Sequence, residues 1–191
     1  HEMVHELLGL DEWIDLVIPR GGKSLVEAVA RKSSIPVIKH FEGVCHVYLD
    51  DQFDLDNAID IAIDSKCLMP EVCNAMETLL VSEAGHEHLP AIVDALRREG
   101  VAVRGCPRTC ESVAGVQPAT DDDWRTEYLD LIVSIRLVSG VEQAIDHINR
   151  FGSHHTDTIV TGRLAAAEQF IEQVDSGVVL VNASTMFCDG E

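Results

Sequence analysis

The chain has 191 residues, 46% of them hydrophobic and 25% charged, as is ordinary for a globular protein. Its 33 acidic residues outnumber the 14 basic ones and give a formal net charge of −19. This charge excludes nucleic acid and anionic membrane surfaces as expected partners, because both need a positive protein surface.

The sequence predicts a cytoplasmic protein with free thiols. No apolar run approaches the ~20 residues of a membrane-spanning helix, and the first residues show no basic-then-apolar signal pattern. No CxxC pair is present, and free thiols are the default for a cytosolic chain of this size. The six cysteines are Cys45, Cys67, Cys73, Cys106, Cys110 and Cys188.

Short β-rich segments alternate with amphipathic helical segments along the chain. In chain order the predicted elements are strand 14–18, helix 24–31, strand 35–38, strand 45–49, helix 54–64, strand 78–81, helix 88–99, strand 101–104, an irregular stretch to residue 124, strand 129–138, helix 141–151, strand 158–161, helix 163–174 and strand 177–181. Strands separated by helices imply a mainly parallel sheet covered on both faces, so the predicted fold class is α/β.

Cys73 is the first candidate for chemistry. It lies in a predicted loop, Pro70–Ala75, between a helix and a strand. A thiol in a loop can be reached by a substrate and placed near backbone N–H groups, whereas a thiol packed in a core can do neither. The alternative is a small buried hydrophobe, the commoner fate of a free cysteine. The residues alone leave three other thiols as equal candidates: Cys45, Cys67 and Cys106.

A predicted strand-to-helix junction has the sequence Pro-Arg-Gly-Gly-Lys-Ser and could bind phosphate. Gly21 and Gly22 would let a phosphate approach the backbone, and the helix N-terminus supplies free N–H groups. Arg20 and Lys23 add positive charge. The alternative is a plain turn in which Ser24 caps the helix, and the residues alone do not choose between the two.

Three histidine-containing segments invite a metal site, but none is predicted. Residues 1–5 match HExxH, the helical signature of zinc proteases, which also recurs by chance and needs a third ligand beside a cleft. The pairs at residues 86–88 and 154–155 lack carboxylate or thiol partners at ligand spacing.

Six segments in this order resemble one enzyme family. They are IPRGGK (18–23), VCHVY (44–48), VCNAMETLLV (72–81), TEY (126–128), GSHHT (152–156) and VNAST (181–185). Together they resemble the gamma-glutamyl phosphate reductases, a family of the aldehyde dehydrogenase superfamily, over the whole chain. The resemblance implies an aldehyde-dehydrogenase-like three-layer catalytic domain with a mainly parallel sheet, preceded by the last βα units of a Rossmann-like cofactor domain.

The same resemblance implies a domain division. Residues 1–42 are expected to end the dinucleotide-binding domain, and residues 43–191 to form the catalytic domain. The N-terminal half and a C-terminal tail of the parent enzyme are then absent, so the isolated piece is expected to be inactive.

The reaction implied is the reduction of L-glutamyl 5-phosphate to L-glutamate 5-semialdehyde and phosphate by NADPH, in proline biosynthesis. Cys73 aligns with the family nucleophile, whose thiolate would displace phosphate and leave a thioester for hydride to reduce. Glu127 aligns with the glutamate that holds the nicotinamide ribose. The NADP(H) contacts are completed by the turn Arg20, Gly21, Gly22, Lys23 and Ser24.

Loops that line the catalytic funnel in the family supply the expected substrate contacts. These are Asn74, His155, Thr156, Asn182, Ser184 and Thr185. Many relatives have arginine where this chain has Met69 and Met186, which removes two anion contacts near the site. The glutamate base of hydrolytic relatives would fall near residues 40–42 and is missing there, and a reductase needs no activated water.

Two alternatives to the reductase are a related aldehyde dehydrogenase that oxidises a semialdehyde, and a non-catalytic domain for binding or assembly. The missing base disfavours the first. A homo-oligomer and glutamate 5-kinase are the candidate protein partners.

Overall fold

The structure, a computed structural model, describes residues 2–21, 23–38 and 43–188. The chain divides into two compact units, His1–Glu42 and Gly43–Glu191. No helix within the described ranges is long and apolar enough to cross a membrane.

The first unit contains two helices, α1 (Glu2–Leu7) and α2 (Lys23–Lys32). The strands predicted at residues 14–18 and 35–38 are wrong, since only a single parallel bridge joins Val17 and Val37. Two hydrogen bonds flank this bridge, and one of them ends on the carbonyl of Pro36. Proline has no N–H to donate, so Pro36 contributes no second bond to a ladder, and the pairing stops after one residue.

A parallel sheet of seven strands forms the second unit. Its strands are β1 (Cys45–Leu49), β2 (Met76–Ser82), β3 (Ala102–Gly105), β4 (Gln117–Pro118), β5 (Ile132–Val138), β6 (Thr156–Val160) and β7 (Val178–Val181). Its helices are α3 (Leu55–Cys67), α4 (Leu89–Arg98), α5 (Pro107–Ser112), α6 (Val141–Phe151) and α7 (Leu164–Gln173), with 3-10 turns at Glu83–His88, Asp123–Arg125 and Thr185–Cys188. The order across the sheet is β4-β3-β5-β2-β1-β6-β7, and every pair is parallel. The predicted α/β class is confirmed.

Residues 105–124 are more regular than the sequence indicates. They contain α5, the two-residue strand β4 and a 3-10 turn. Pro107 starts α5, where its missing N–H costs no helical bond. Elements this short have no visible hydrophobic period, so pattern analysis does not find them.

Side chains alternate between two cores on opposite faces of the sheet. On β1, Val47 and Leu49 pack into one core with α3 and α4, whereas Tyr48 packs into the other with α6 and α7. Helix α3 therefore follows β1 to one face, and α7 follows β6 to the other. The carboxyl ends of β1 and β6 thus form the topological switch point, where open α/β sheets usually bind ligands.

Side chains of this protein fill that switch point. Asp50 follows β1 and is fully buried. It accepts hydrogen bonds from the Tyr48 hydroxyl at 3.0 Å and the Thr161 hydroxyl at 2.6 Å. Arg163 donates to both carboxylate oxygens, through Nε at 2.8 Å and Nη2 at 2.6 Å. The polar groups at this end of the strands therefore bond to one another.

Candidate active site at the amino edge of the sheet

Cys73 lies in a turn between α3 and β2, as the sequence predicts, and is half-buried. The register places Met76, the first residue of β2, beside Cys45, the first residue of β1. Cys73 therefore stands beyond the amino ends of the central strands, at the edge away from Asp50.

Gly43 packs directly against the backbone of Cys73. A Cβ atom at Gly43 would lie 1.7 Å from the Cys73 carbonyl oxygen, so only glycine fits. The Gly43 N–H donates to Glu127 Oε1 at 2.7 Å. The thiol of Cys45 donates to the Cys73 carbonyl at 3.2 Å. Gly43 thus contacts both Cys73, the predicted nucleophile, and Glu127, the predicted cofactor residue.

Several predicted substrate residues come together beside this turn, around Cys188. The Asn74 amide donates to the Thr185 carbonyl at 3.1 Å and lies 3.8 Å from the Cys188 sulfur. Thr156 Oγ1 is 3.4 Å from that sulfur and 2.8 Å from His155 Nδ1. These five residues are called the polar ring below. The sequence patterns did not identify Cys188 as a candidate, although it lies only three residues after the segment 181–185.

Ser184 is held against α3. Its hydroxyl oxygen accepts from the Ser65 hydroxyl at 3.1 Å, and the Ser65 oxygen in turn accepts from the Thr185 N–H at 3.1 Å. This contact fixes the return of the chain from β7 toward the polar ring.

Asn182 is held by the backbone that follows β6. The Asn182 side chain forms two hydrogen bonds with the Thr161 backbone, at 2.8 and 2.9 Å. Thr161 follows the carboxyl end of β6, whereas Thr156 opens β6. The Asn182 side chain is therefore held at the carboxyl end of β6, whereas Thr156 of the polar ring lies at its amino end. That Asn182 contacts the substrate stays a prediction.

Burial disfavours two of the competing thiols, Cys45 and Cys67, as nucleophiles. It raises the pKa of Cys45 well above its usual value, assisted by the Asp157 carboxylate. It also raises the pKa of Cys67, with a smaller effect of Glu99. A thiol held neutral is a poor nucleophile.

Cys106 is the exception among these rivals. Burial alone would raise its pKa, but the Thr109 hydroxyl and nearby backbone N–H groups outweigh burial and lower it. Cys106 follows β3, however, at the carboxyl edge, and packs against the core. It therefore lies at the opposite edge of the sheet from Cys73.

The predicted phosphate turn lies in the first unit. Arg20 is exposed, and Gly21 has φ +147°, a conformation that favours glycine. Helix α2 begins at Lys23, so Ser24 lies inside the helix rather than capping it. Gly22 and the side chain of Lys23 lie outside the described part of the chain.

A separate pocket of about 490 Å³ lies beside α6 and contains Arg125, Arg136 and Arg150. Asp121, Asp122 and Asp146 line the same pocket. The equal number of acids leaves the pocket without a net positive charge to attract an anion.

Across the described residues, no cluster of three or more His, Cys, Asp or Glu could hold a metal ion. Of the HExxH segment, His1 and the side chains of Glu2 and His5 lie outside the description. Residues 40–42, where the hydrolytic base is missing from the sequence, also lie outside it.

No protein-family model matches the chain. It is 49% identical over 190 residues to a gamma-glutamyl phosphate reductase of Desulfatibacillum aliphaticivorans, covering 99% of this chain and 46% of that protein. The crystal structure of gamma-glutamyl phosphate reductase from Thermotoga maritima matches at 44% identity with a TM-score of 0.94, covering 97% of this chain and 45% of the other. The chain therefore spans about half the length of these relatives.

Two further structures extend the comparison. Gamma-glutamyl phosphate reductase from Saccharomyces cerevisiae matches at 34% identity with a TM-score of 0.60, covering 98% of this chain and 47% of the other. An acetylating aldehyde dehydrogenase from Geobacillus thermoglucosidasius matches at 20% identity with a TM-score of 0.72, covering 96% of this chain and 49% of the other. The second match shows that the fold is aldehyde-dehydrogenase-like.

Proposed function

We propose that this chain, which is homologous to about half of a gamma-glutamyl phosphate reductase, carries the nucleophile of an enzyme that reduces L-glutamyl 5-phosphate to L-glutamate 5-semialdehyde. The reaction releases phosphate and belongs to proline biosynthesis. The observation that carries the proposal is the position of Cys73, half-buried in a turn beside the polar ring. Residues 43–191 would be the catalytic domain, and residues 1–42 the end of the dinucleotide-binding domain.

The Cys73 thiolate would attack the acyl carbon of the substrate. The bond from that carbon to the phosphate oxygen breaks, phosphate leaves with the electron pair, and a thioester remains on Cys73. The backbone N–H of Cys73 is the proposed donor to the oxyanion that forms during attack. Asn74, His155, Thr156, Ser184 and Thr185 remain the proposed contacts for the glutamyl and phosphate groups.

The hydrogen bonding of Glu127 supports its proposed role as a contact for a nicotinamide cofactor. Glu127 uses Oε1 to accept from Gly43, and within the described ranges no hydrogen bond engages Oε2. That oxygen suits a ribose hydroxyl. Arg20, Gly21, Gly22, Lys23 and Ser24 remain the other proposed contacts.

NADPH, when bound, supplies the hydride that reduces the thioester. Cys73 then leaves as a thiolate from the resulting thiohemiacetal, which frees the aldehyde and restores the nucleophile. Gly43 keeps the Cys73 turn against β1 during both steps.

Cytoplasmic location, homo-oligomer formation and pairing with glutamate 5-kinase remain predictions from the sequence. So does the absence of a hydrolytic base near residues 40–42. Asn182, on the Thr161 backbone, is a weaker substrate candidate than its neighbours in the same segment.

The first experiment measures phosphate-dependent reduction of NADP⁺ by glutamate 5-semialdehyde, with the full-length parent enzyme. We expect Cys73→Ser to lower kcat by at least ~10³-fold, because nucleophile removal in covalent catalysis costs that much or more. Cys67→Ser is the matched control and should stay within about twofold, since Cys67 packs against the hydrophobic core. Iodoacetamide should label Cys73 fastest and abolish turnover.

Three results would contradict the proposal. They are an active Cys73→Ser enzyme, equal labelling of all six thiols with activity kept, and a Cys188→Ser enzyme that loses activity while Cys73→Ser keeps it. Phosphate-independent oxidation to glutamate would instead identify a hydrolytic aldehyde dehydrogenase.

A further inference from the structure

Asp157 connects three parts of the second unit next to the polar ring. It is the second residue of β6, directly after Thr156, and its side chain is fully buried. Its Oδ1 accepts hydrogen bonds from the backbone N–H and from Nδ1 of His46, both at 2.8 Å. Its Oδ2 accepts from the Ser176 hydroxyl at 2.5 Å. The carboxylate thus joins β1 and β6 to the turn before β7.

Side-chain acceptors complete the backbone pairing at the amino end of β1. In a regular parallel ladder, the N–H groups of one strand donate to carbonyl oxygens of its neighbours. His46 is in register with Asp157, yet its N–H donates to the Asp157 carboxylate. The Val44 N–H likewise donates to Ser153 Oγ at 2.9 Å. The start of β6 is therefore tied to β1 by side chains as well as by the ladder.

The turn that contains Ser176 holds the backbone of His154 and His155. The Gly177 N–H donates to the His154 carbonyl at 2.9 Å. The Val178 N–H donates to the His155 carbonyl at 3.0 Å. Because Ser176 directly precedes these two donors, its bond to the buried carboxylate fixes where they lie.

His154 has a backbone conformation that needs these contacts. Its φ is +61°, in the left-handed region, which is uncommon for a residue other than glycine. Its side chain is 52% exposed, so burial of that side chain does not hold the conformation. Its Nδ1 lies 2.5 Å from the Asp175 carbonyl oxygen, in the same turn. The turn 175–177 therefore supports the segment that leads into the polar ring.

The two residues after His154 belong to the polar ring. His155 Nδ1 lies 2.8 Å from Thr156 Oγ1, and that oxygen lies 3.4 Å from the Cys188 sulfur. Both residues are among the proposed contacts for the glutamyl and phosphate groups. Asp157 adjoins Thr156 in the chain. It reaches the His155 backbone through Ser176 and the turn.

We propose that the hydrogen bond between Asp157 and Ser176 positions residues 154–156, and with them the substrate contacts of the polar ring. Asp157 and Ser176 are positioning residues, because neither touches the reacting atoms in the proposed mechanism. The effect on substrate binding rests on the proposed function, whereas the effect on the backbone of residues 154–156 does not.

The test uses Ser176→Ala in the full-length parent enzyme. This variant removes one hydroxyl from a half-buried position and leaves the bonds between Asp157 and His46 in place, so the fold should be kept. Hydrogen exchange of the Gly177 and Val178 amides should rise about tenfold, the size expected for loss of a hydrogen bond to a charged group. The KM for glutamate 5-semialdehyde should rise about tenfold, while kcat and the KM for NADP⁺ change by less than about threefold.

Ser112→Ala is the matched control. It removes a half-buried serine hydroxyl that donates to the Arg108 carbonyl at 2.7 Å in α5. It should keep the parent KM values and the parent exchange at residues 177 and 178. Ser176→Thr is the conservative variant, and it should stay within about twofold of the parent in both measurements because threonine keeps the hydroxyl donor.

Parent-like exchange at Gly177 and Val178 in Ser176→Ala overturns the proposal, and so does a Ser176→Thr enzyme that is equally impaired. Faster exchange with an unchanged KM for glutamate 5-semialdehyde overturns the link to the polar ring. Equal rises in the KM values for this substrate and for NADP⁺ overturn that link too, since they indicate a general structural effect. An active Cys73→Ser enzyme would overturn the proposed function, while the exchange measurement would still decide the role of the Asp157–Ser176 bond.

Discussion

At the residue scale, Asp123 shows how strongly single polar contacts act in this protein. It is almost fully buried and accepts from the Thr120 N–H at 2.6 Å and the Thr120 hydroxyl at 2.8 Å. The Tyr128 hydroxyl donates at 2.7 Å, and Arg104 forms an ion pair with the same carboxylate. Burial alone would raise the pKa of Asp123, but these donors outweigh it and lower the pKa to about 2.

This lowered pKa predicts how stability depends on pH. An unfolded aspartate titrates near 3.9, so the folded carboxylate contributes stability above about pH 4 that is lost as pH falls through 2. A shift of about two pKa units corresponds to about 2–3 kcal/mol. Asp123→Asn should therefore lower the free energy of unfolding by about that amount at pH 7, with a gap that narrows toward pH 2.

Urea unfolding of this chain between pH 2 and pH 7 measures that gap. Asp122→Asn is the control, because Asp122 is the exposed neighbour and its side chain makes no capping bond. It should differ from the parent by less than about 0.5 kcal/mol at every pH. A gap for Asp123→Asn that does not change with pH would contradict the assignment.

At the element scale, the two ends of the strands have different roles. The carboxyl ends of β1 and β6 are closed by Asp50, Thr161 and Arg163. The amino ends carry Cys73 and part of the polar ring. The amino ends are aligned by a contact between Gly43, which lies just before β1, and the Cys73 turn, which precedes β2.

Gly43→Ala should damage the site without removing any functional group. The new Cβ would meet backbone atoms of Cys73, which cannot rotate away, so the turn or the start of β1 must shift. A displacement near 1 Å at a reacting group can cost ~10²-fold in rate, and we expect a fall of that size in kcat of the full-length parent.

Gly162→Ala is the control for this variant. A Cβ there would lie 3.5 Å from the Gln52 carbonyl oxygen, an ordinary contact, so activity should stay within about twofold. A fully active Gly43→Ala enzyme would show that the close approach of Gly43 to Cys73 is unimportant.

At the scale of the whole molecule, the excess of acidic side chains affects thermal stability. With a net charge of −19, exposed acids repel one another across the surface. The Debye length falls from about 30 Å at 0.01 M salt to about 8 Å at 0.15 M, so added salt screens this repulsion. We expect the thermal midpoint to rise by a few degrees over that range.

A variant with fewer surface charges tests the cause. Four exposed acids are suitable for change to their amides: Glu71, Glu87, Asp94 and Asp121. The salt dependence should become weaker in this variant. A midpoint that falls with added salt would mean that specific ion pairs outweigh the general repulsion.

The sequence by itself determined the α/β class and most of the regular elements. Strand β1 and helix α6 have the predicted bounds, 45–49 and 141–151. The placement of Cys73 in a turn was also predictable. These features depend on side chains within a few positions of one another, so a local hydrophobic period is enough to find them.

Only the tertiary structure decided the strand order and which residues share the site. Glu127 meets Gly43 across 84 positions, and Asn74 meets Thr185 across 111. The structure also placed the Asn182 side chain on the Thr161 backbone, brought Cys188 beside Asn74 and Thr156, and paired Lys66 with Glu77. Such contacts depend on how the whole sheet packs, which no local pattern of residues encodes.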